Sequence, residues 1–590
     1  MTATAEAPRA AAPRPEPASL PALLLRHAAE RPERVALREK RLGRWRETTW
    51  ASYAERAARV GLGLRELGVA PGDRVAIHSE NRPEWVLADL GAQGIGAIVT
   101  GVYPTSPAAE VEYLLGHSEA AVVVVEDEEQ LDKALAVRER LPALRAIVLV
   151  DPRNVRGLDD PTVLTFAELE ARGARRERAE WDASAASLDP HETAIIVYTS
   201  GTTGPPKGAM LTHANLIAAA EAFRTVYELD ERDEVLSYLP LAHVAERLFS
   251  VGIALGAGYA VNFGEGGESF AQDLRDVQPT FFLGVPRVWE KMMASVEIRM
   301  ADASRLKRAA HRAALRSRGP LARVVHRPLL EKLGLSRCTK ALSGAAPIAP
   351  RVLEYFRSLG VPVREGYGQT ENTAVCTFTP AGDVRLGTVG RALPGVEIRV
   401  ADDGEVLTRS PAVFKGYFRD PEATAATIDR DGWLRTGDVG ALDEDGFLTI
   451  TDRKKDVIIT AGGKNVSPSE IENRLKVSPY VREAVVIGDR RRFLTALVGI
   501  EGDTVGDWAT RRGLPFTTYA DLAGKPEVRE LVQGVVDEVN RDLAQVETIK
   551  RFALLDKELD HEDGELTATQ KVKRRAIEER FAGEIEALYA

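Results

Sequence analysis

Two short runs, Ala121–Val125 (AVVVV) and Ala146–Val150 (AIVLV), constrain this chain more than any other feature. Neither has a polar position. A strand with one wet face alternates apolar and polar residues, so these need apolar cover on both faces. Helical patterns lie around them. From Trp50 to Leu67 apolar residues recur at helical spacing, and Gly68 stops the pattern. Arg74–Ile77 reads as a further strand after the turn Pro71-Gly72-Asp73. Strands buried on both faces and alternating with helices predict a layered α/β body built on a parallel sheet.

At 590 residues the chain has room for that body and a smaller partner domain. With 44% apolar and 28% charged residues, a wholly disordered chain is excluded. The two cysteines, Cys338 and Cys376, have no metal-ligand spacing, which excludes a disulfide framework or cysteine zinc site and fits a reducing cytoplasm. A net charge of −10 argues against a nucleic-acid partner. Residues 1–19, rich in Ala and Pro, read as a leader with little fold content and no signal-peptide core. No stretch approaches the roughly 18–20 apolar residues of a spanning helix.

Residues 296–340 hold a run of Lys and Arg from Arg299 to Lys340, set against only Glu297, Asp302 and Glu331. Two readings stay open: a solvated helical insertion, or a basic surface that meets anionic membrane. Near the end, Phe447–Ile450 reads as a strand and Thr451–Asp456 as a charged connector. Further strands (Ala484–Ile487, Leu494–Ile500) and an amphipathic helix from Pro526 to Leu543 follow, in what reads as a separate small domain.

The densest chemistry lies in Tyr198-Thr-Ser-Gly-Thr-Thr-Gly-Pro-Pro-Lys-Gly208, directly after the strand-like run Ala194–Val197. Glycines let the backbone bring its N–H groups up to an anion. Thr199, Ser200, Thr202 and Thr203 add hydroxyl donors, Gly201 and Gly204 add turns, and Lys207 adds positive charge. This composition suits a polyphosphate. The spacing is not the Walker A pattern, because Gly rather than Ser or Thr follows the lysine.

The segment resembles the phosphate loop of the adenylate-forming superfamily, which includes acyl-CoA synthetases. The resemblance continues in family order from about residue 20 to the C-terminus. It takes in Leu239–His243, Ser343–Pro347, Glu365–Glu371, Asp431–Asp438, Asp452–Asp456 and Thr567–Arg575. It implies a large layered α/β N-terminal domain over 20–452, a hinge at 453–456 and a small mobile α+β C-terminal domain over 457–590. The segments Asp276–Lys291 and Asp452–Asn465 are similar to those of long-chain fatty acid–CoA ligases. Ala245 departs from that subfamily, where a larger aromatic is common.

What the resemblance implies for single residues follows. Lys571 is the catalytic lysine, bridging the charge that builds on the α-phosphate and the incoming carboxylate. Thr199 and Glu371 hold Mg²⁺, and His243 stands beside the acyl site. Gly344, Ala345, Ala346, Glu365, Gly366, Tyr367, Gly368 and Thr370 surround the nucleotide with the phosphate loop. Asp438 offers a bidentate acceptor to the ribose diol, and Arg453 binds ribose or phosphate. Lys455 is the pivot of domain rotation. Gly462, Gly463 and Lys464 line the path of the CoA pantetheine. The implied substrates are a fatty acid, ATP and CoA, with Mg²⁺. The implied setting is cytoplasmic, including the inner membrane surface if the basic segment docks there. Monomer and homodimer both remain open. Loading of a carrier protein by a fatty acyl-AMP ligase, and CoA ligation of medium-chain or aryl acids, are the alternative activities.

Overall fold

The computed structural model describes residues 19–157, 159–199, 205–316, 320–561, 563–567 and 571–590. The leader, apart from Ser19, lies outside them, and so does the stretch 200–204 of the phosphate loop. Ser19 caps the first helix, Leu20–Glu30, by accepting from the Ala22 amide.

The central sheet has eight strands. From one edge the order is Gly416–Tyr417, Lys207–Thr212, Thr193–Thr199, Ile98–Val102, Arg74–His78, Ala120–Val125, Ala146–Leu149 and Val163–Thr165. From Thr193–Thr199 onward neighbouring strands run parallel. The first two strands pair antiparallel. Every residue of Ala120–Val125 is buried. Val122 and Val124 pack into one apolar cluster, and Val123 and Val125 into another on the opposite face. This two-sided cover is why the run carries no polar residue.

The helix Trp50–Glu66 is capped by Thr49, which accepts from the Ser52 amide. It ends where Gly68 turns left-handed at φ 81°. Its inward face includes Trp50, Tyr53, Ala57 and Leu62.

A second sheet carries much of the site. Its strands are Phe281–Gly284, Lys340–Ser343, Val363–Tyr367, Thr377–Phe378 and Arg391–Ala392. The first three run parallel, placing Ser343 opposite Glu365. An antiparallel sheet of Glu397–Val400, Glu405–Arg409, Leu434–Leu442 and Leu448–Arg453 completes this side. The last strand runs further than the sequence reading. Thr451–Arg453 belongs to it, because Arg453 pairs with Asp438 across the ladder. The turn itself is confined to the residues just beyond, where the Asp456 amide bonds Arg453 O at 2.9 Å.

Beyond the turn a three-stranded sheet, Val481–Ile487, Leu494–Ile500 and Ile549–Leu554, has its own core. Leu494 and Val498 pack with Val528, Val532 and Val536 of the helix Pro526–Arg541 on one face. Val485 and Leu497 pack with Ile577 and Ile585 on the other. The basic segment folds as helices: the end of Pro286–Ala301, then Arg305–Arg316 and Pro320–Leu333. Among the described residues no helix is long and apolar enough to cross a membrane.

Candidate functional site

Five of the expected site residues, Lys571, Arg453, Asp438, Glu371 and His243, come together in a cleft between the large body and the C-terminal unit. Thr199 ends one strand of the central sheet and Lys207 begins the next, paired across the ladder. Ser200, Gly201, Thr202, Thr203 and Gly204, between them, lie outside the described residues. The Lys207 ammonium sits 5.3 Å over the Tyr417 ring and 3.8 Å from the Asp420 carboxylate. Tyr417 stands on the edge strand beside them, and its hydroxyl donates to Glu371 Oε1 at 2.7 Å. One tyrosine thus joins the phosphate-loop lysine to the candidate metal carboxylate. Sequence reasoning missed it. A Gly-Tyr pair carries no periodic signal, and only the antiparallel pairing brings it to Lys207.

Glu371 sits in a single helical turn, Thr370–Asn372, braced where the Gln369 amide donates to Asn372 Oδ1 at 2.8 Å. Gly368 precedes the turn in tight space. A Cβ there would lie 2.2 Å from the Ala374 carbonyl oxygen, so a side chain would push the turn away. Gly344 and Gly366 bring two strand ends together, with a Cβ on Gly344 reaching 3.1 Å from Gly366 O. Ala345 is left-handed at φ 68°, and it and Ala346 are exposed at the cleft. Burial pushes the neighbouring Glu365 carboxyl up to about 8.

Asp438 is buried and occupied on both oxygens. Tyr367 donates its hydroxyl to Oδ2 at 2.5 Å, and Arg453 Nε lies 2.9 Å from Oδ1. Burial, then the Asp438 charge, raises the Tyr367 pKa well above its usual value, so the phenol stays a donor. Desolvation pulls the Arg453 pKa down, but Asp438, Tyr367 and Glu371 outweigh it and raise it.

Lys571 arrives from the C-terminal unit on a short loop. Its amide donates to Thr567 Oγ1 at 3.1 Å, and its carbonyl accepts from the Thr567 amide at 2.8 Å. The loop's base is a bridge between Leu566 and Val572. Lys571 keeps solvent contact, yet the cleft walls crowd its ammonium. That desolvation, then repulsion from Arg453, lowers its pKa, while Asp438 and Glu371 act the other way. His243 feels the same ammonium: burial first, and Lys571 second, push its pKa down to about 4. It is neutral near pH 7, and its Nδ1 accepts the Ala245 amide at 3.2 Å. So Lys571, Arg453, Asp438, Glu371 and His243 share one electrostatic site.

The Gly462–Lys464 turn is not brought there. It is exposed, and its neighbours bond within the C-terminal unit: the Thr460 amide to Lys464 O at 3.0 Å and the Ala461 amide to Arg491 O at 2.9 Å. Beside the expected hinge, Asp452 receives the Ser467 hydroxyl at 2.7 Å and the Ser469 hydroxyl at 2.9 Å. Lys455 is exposed beside it, its pKa lowered by desolvation and then by Arg453.

Among the described residues no group of three or more His, Cys, Asp or Glu is arranged to hold a metal ion. Glu371 and the Thr199 hydroxyl are nevertheless hard oxygen donors. They fit a magnesium ion that takes its remaining ligands from phosphate oxygens and water.

Comparison with known proteins identifies the family of both parts of the chain. Residues 24–418 match the AMP-binding enzyme family, and residues 455–590 match the AMP-binding enzyme C-terminal domain. A long-chain-fatty-acid–CoA ligase of Mycobacterium bovis, FadD15, is 36% identical over 96% of this chain and 96% of its own. The Xenopus laevis long-chain-fatty-acid–CoA ligase ACSBG2 is 32% identical over 94% of this chain and 81% of its own. The crystal structure of the anthranilate CoA ligase AuaEII with anthranoyl-AMP superposes with a TM-score of 0.75. At 22% identity it covers 97% of this chain and 98% of that one, and it shows the shared fold. A mixed α/β body, a cleft that gathers a lysine, an arginine and two carboxylates, and family matches to both halves place this chain in the AMP-binding enzyme family.

Proposed function

We propose that this protein is a long-chain fatty acid–CoA ligase. It converts a fatty acid, ATP and CoA into acyl-CoA, AMP and pyrophosphate through an acyl-adenylate. The observation that carries the reading is the placement of Lys571 within the field of Glu371, Asp438, Arg453 and His243. The 30% or greater identity to long-chain ligases over nearly the whole chain supports the acid class.

In the first half-reaction a carboxylate oxygen attacks the α-phosphorus and the bond to the bridging oxygen of pyrophosphate breaks. Negative charge grows on the α-phosphoryl oxygens, where the Lys571 ammonium stabilises it. Asp438 would accept the ribose hydroxyls on the lone pairs that Tyr367 and Arg453 leave on its two oxygens, and Arg453, held to Asp438, adds a second cation. Neutral His243 borders the acyl end without drawing the carboxylate away from phosphorus. Glu371 and Thr199 would hold Mg²⁺, which neutralises phosphate charge when bound. In the second half-reaction the CoA thiol attacks the acyl carbonyl and AMP leaves. Rotation about Lys455 would carry Lys571 out and bring Gly462–Lys464 toward the cleft. Glycines there let the narrow pantetheine pass close to the backbone.

The basic helices carry a finer reading, contact with anionic membrane. Arg305, Arg308 and Arg312 line an open cavity of about 590 Å³, and Leu306 between them is 81% exposed. Sedimentation with anionic vesicles, lost on reversing these charges, tests it.

The deciding assay follows pyrophosphate and AMP release with ATP, Mg²⁺ and fatty acids of graded length, with and without CoA. AMP release that needs CoA and peaks with long acids is the expected result. Pyrophosphate release indifferent to CoA overturns it in favour of carrier-protein loading.

A further inference from the structure

Ten residues before the catalytic lysine, His561 crosses between the two units. Its Nε2 lies 3.1 Å from Glu110 Oε2, on the helix Ala108–Ser118 of the large body. Its Nδ1 lies 3.1 Å from the carbonyl oxygen of Leu566, the bridge residue at the base of the lysine loop. The imidazole is buried. A carbonyl oxygen can only accept, and so can an ionised carboxylate. Both ring nitrogens must therefore donate, which only the imidazolium can do.

We propose that His561 and Glu110 are positioning residues for the first half-reaction: the doubly donating His561 ties the base of the Lys571 loop to the large body. This rests on the adenylation reading of the cleft. Neither residue reaches the reacting atoms. They act through Lys571, by holding its loop in the arrangement where it meets Glu371 and Asp438.

The arrangement gives the protein a pH dependence whose sign is defined. Facing His561 are Glu110 from the large body, with Tyr103 behind it, and Lys573 from its own unit. The Glu110 bond raises the His561 pKa above 6.5, burial and Lys573 oppose it, and the Leu566 carbonyl adds to the rise. Released by domain rotation, the imidazole returns toward its ordinary value near 6.5. Below about pH 6.5 it is protonated in both arrangements, and docking contributes in full. As pH rises through the higher docked pKa the proton is lost, one bond goes with it, and the docked arrangement loses ground.

The test uses the full chain. Pyrophosphate release without CoA reports the first half-reaction, and thioester formation from preformed acyl-AMP reports the second. Both are followed from about pH 6 to 9 in the parent, Glu110→Gln, His561→Gln and the double variant. The parent's ratio of first to second rates should fall as pH rises. Each single variant should lower the first rate at low pH by about fivefold, since the Glu110 side of the pair keeps some solvent contact although the imidazole is buried. It should flatten that pH response and leave the second rate within about twofold. The double variant should lose no more than either single one. Equal loss in both half-reactions, an unchanged pH profile or additive losses would each overturn the proposal. Independently of turnover, histidine-selective carbon-13 labelling reads the His561 titration, its signal identified by loss in His561→Gln. A midpoint above 6.5 that drops in Glu110→Gln is expected, and a midpoint indifferent to Glu110 refutes the contact. If no acid yields an adenylate, the reading of the cleft fails, while this titration still decides the contact.

Discussion

Tyr367 and Arg453 each bond Asp438 within the large body and its last strand, at 2.5 and 2.9 Å. Lys571 reaches the same cleft on a loop of the other unit, whose hold on the large body includes His561–Glu110 and the pairs of Arg287. The nucleotide half of the cleft is therefore built before any domain movement. The lysine half is assembled by docking, and under the proposed mechanism it is withdrawn between the two steps. A two-step ligase would gain from that division, because AMP must stay bound through both steps, while the role proposed for the lysine belongs only to the first.

Lys571→Ala breaks the comparison most sharply. Losing one preorganised charge from the transition state costs about 10²–10³ in rate. Pyrophosphate release should fall by that factor, while thioester formation from preformed acyl-AMP stays near the parent value. Equal loss in both steps would remove the division of labour between the two halves. Lys455→Pro attacks the withdrawal instead. Proline locks φ at the pivot and restricts the residue before it, a penalty of about 3 kcal/mol wherever the required dihedrals are excluded. The adenylate should still form and accumulate, with thioester production down by about a hundredfold. Normal overall turnover would mean that the chain pivots elsewhere.

Tyr417→Phe sharpens the picture of the nucleotide half. The phenol's bond to Glu371 is a hydrogen bond to a charged group, worth about 1.5–3 kcal/mol. Part of that is regained because water can replace the phenol beside a half-buried carboxylate. A rise of about five- to tenfold in the magnesium concentration needed for half-maximal pyrophosphate release is expected, with little change in the thioester step. No shift in that midpoint would separate Tyr417 from the metal role assigned to Glu371.

The two halves also differ in how far the sequence reveals them. Ala121–Val125 announces a strand covered on both faces because no polar residue interrupts it. The phosphate loop announces an anion through its glycines and hydroxyls. These are local signals, since the residues that express the physics are adjacent. Tyr417 and Glu371 are 46 residues apart, and His561 and Glu110 are 451 apart. Each pair exists only through the topology that joins its elements, and of the four residues only Glu371 is marked in the sequence, by the motif it belongs to. The connector shows the same limit on a smaller scale. Thr451–Arg453 looks like a charged link, yet it continues the strand because Asp438 lies opposite Arg453. The sheet ladder overrides the charge pattern there, and it also delivers the arginine to the carboxylate.

The smallest effect concerns a second ion cluster between the two units. Arg287, in the first turn of the helix Pro286–Ala301, lies 3.0 Å from Glu483 and 3.2 Å from Glu501 of the C-terminal unit. Lys291 lies 3.6 Å from Glu501. Glu290 stands among them, its pKa pushed up to about 7 by burial, with Lys476 and Arg287 opposing the rise and Glu483 adding to it. Removing the Arg287 guanidinium leaves carboxylates facing one another across the junction, so docking should weaken. Arg287 is about a third exposed, so solvent screens the pairs and each is worth at most about 1 kcal/mol. Arg287→Ala should therefore lower pyrophosphate release only two- to fivefold, roughly the range such surface pairs allow, and spare the thioester step. Salt separates this cluster from the buried histidine contact. Raising ionic strength toward about 1 M shortens the screening length to about 3 Å. The parent should then lose first-step rate and approach the Arg287→Ala variant, while the variant itself changes little. A variant as salt-sensitive as the parent would assign the screened docking energy to another exposed ion pair across the junction, such as Arg511 with Asp302 at 3.2 Å.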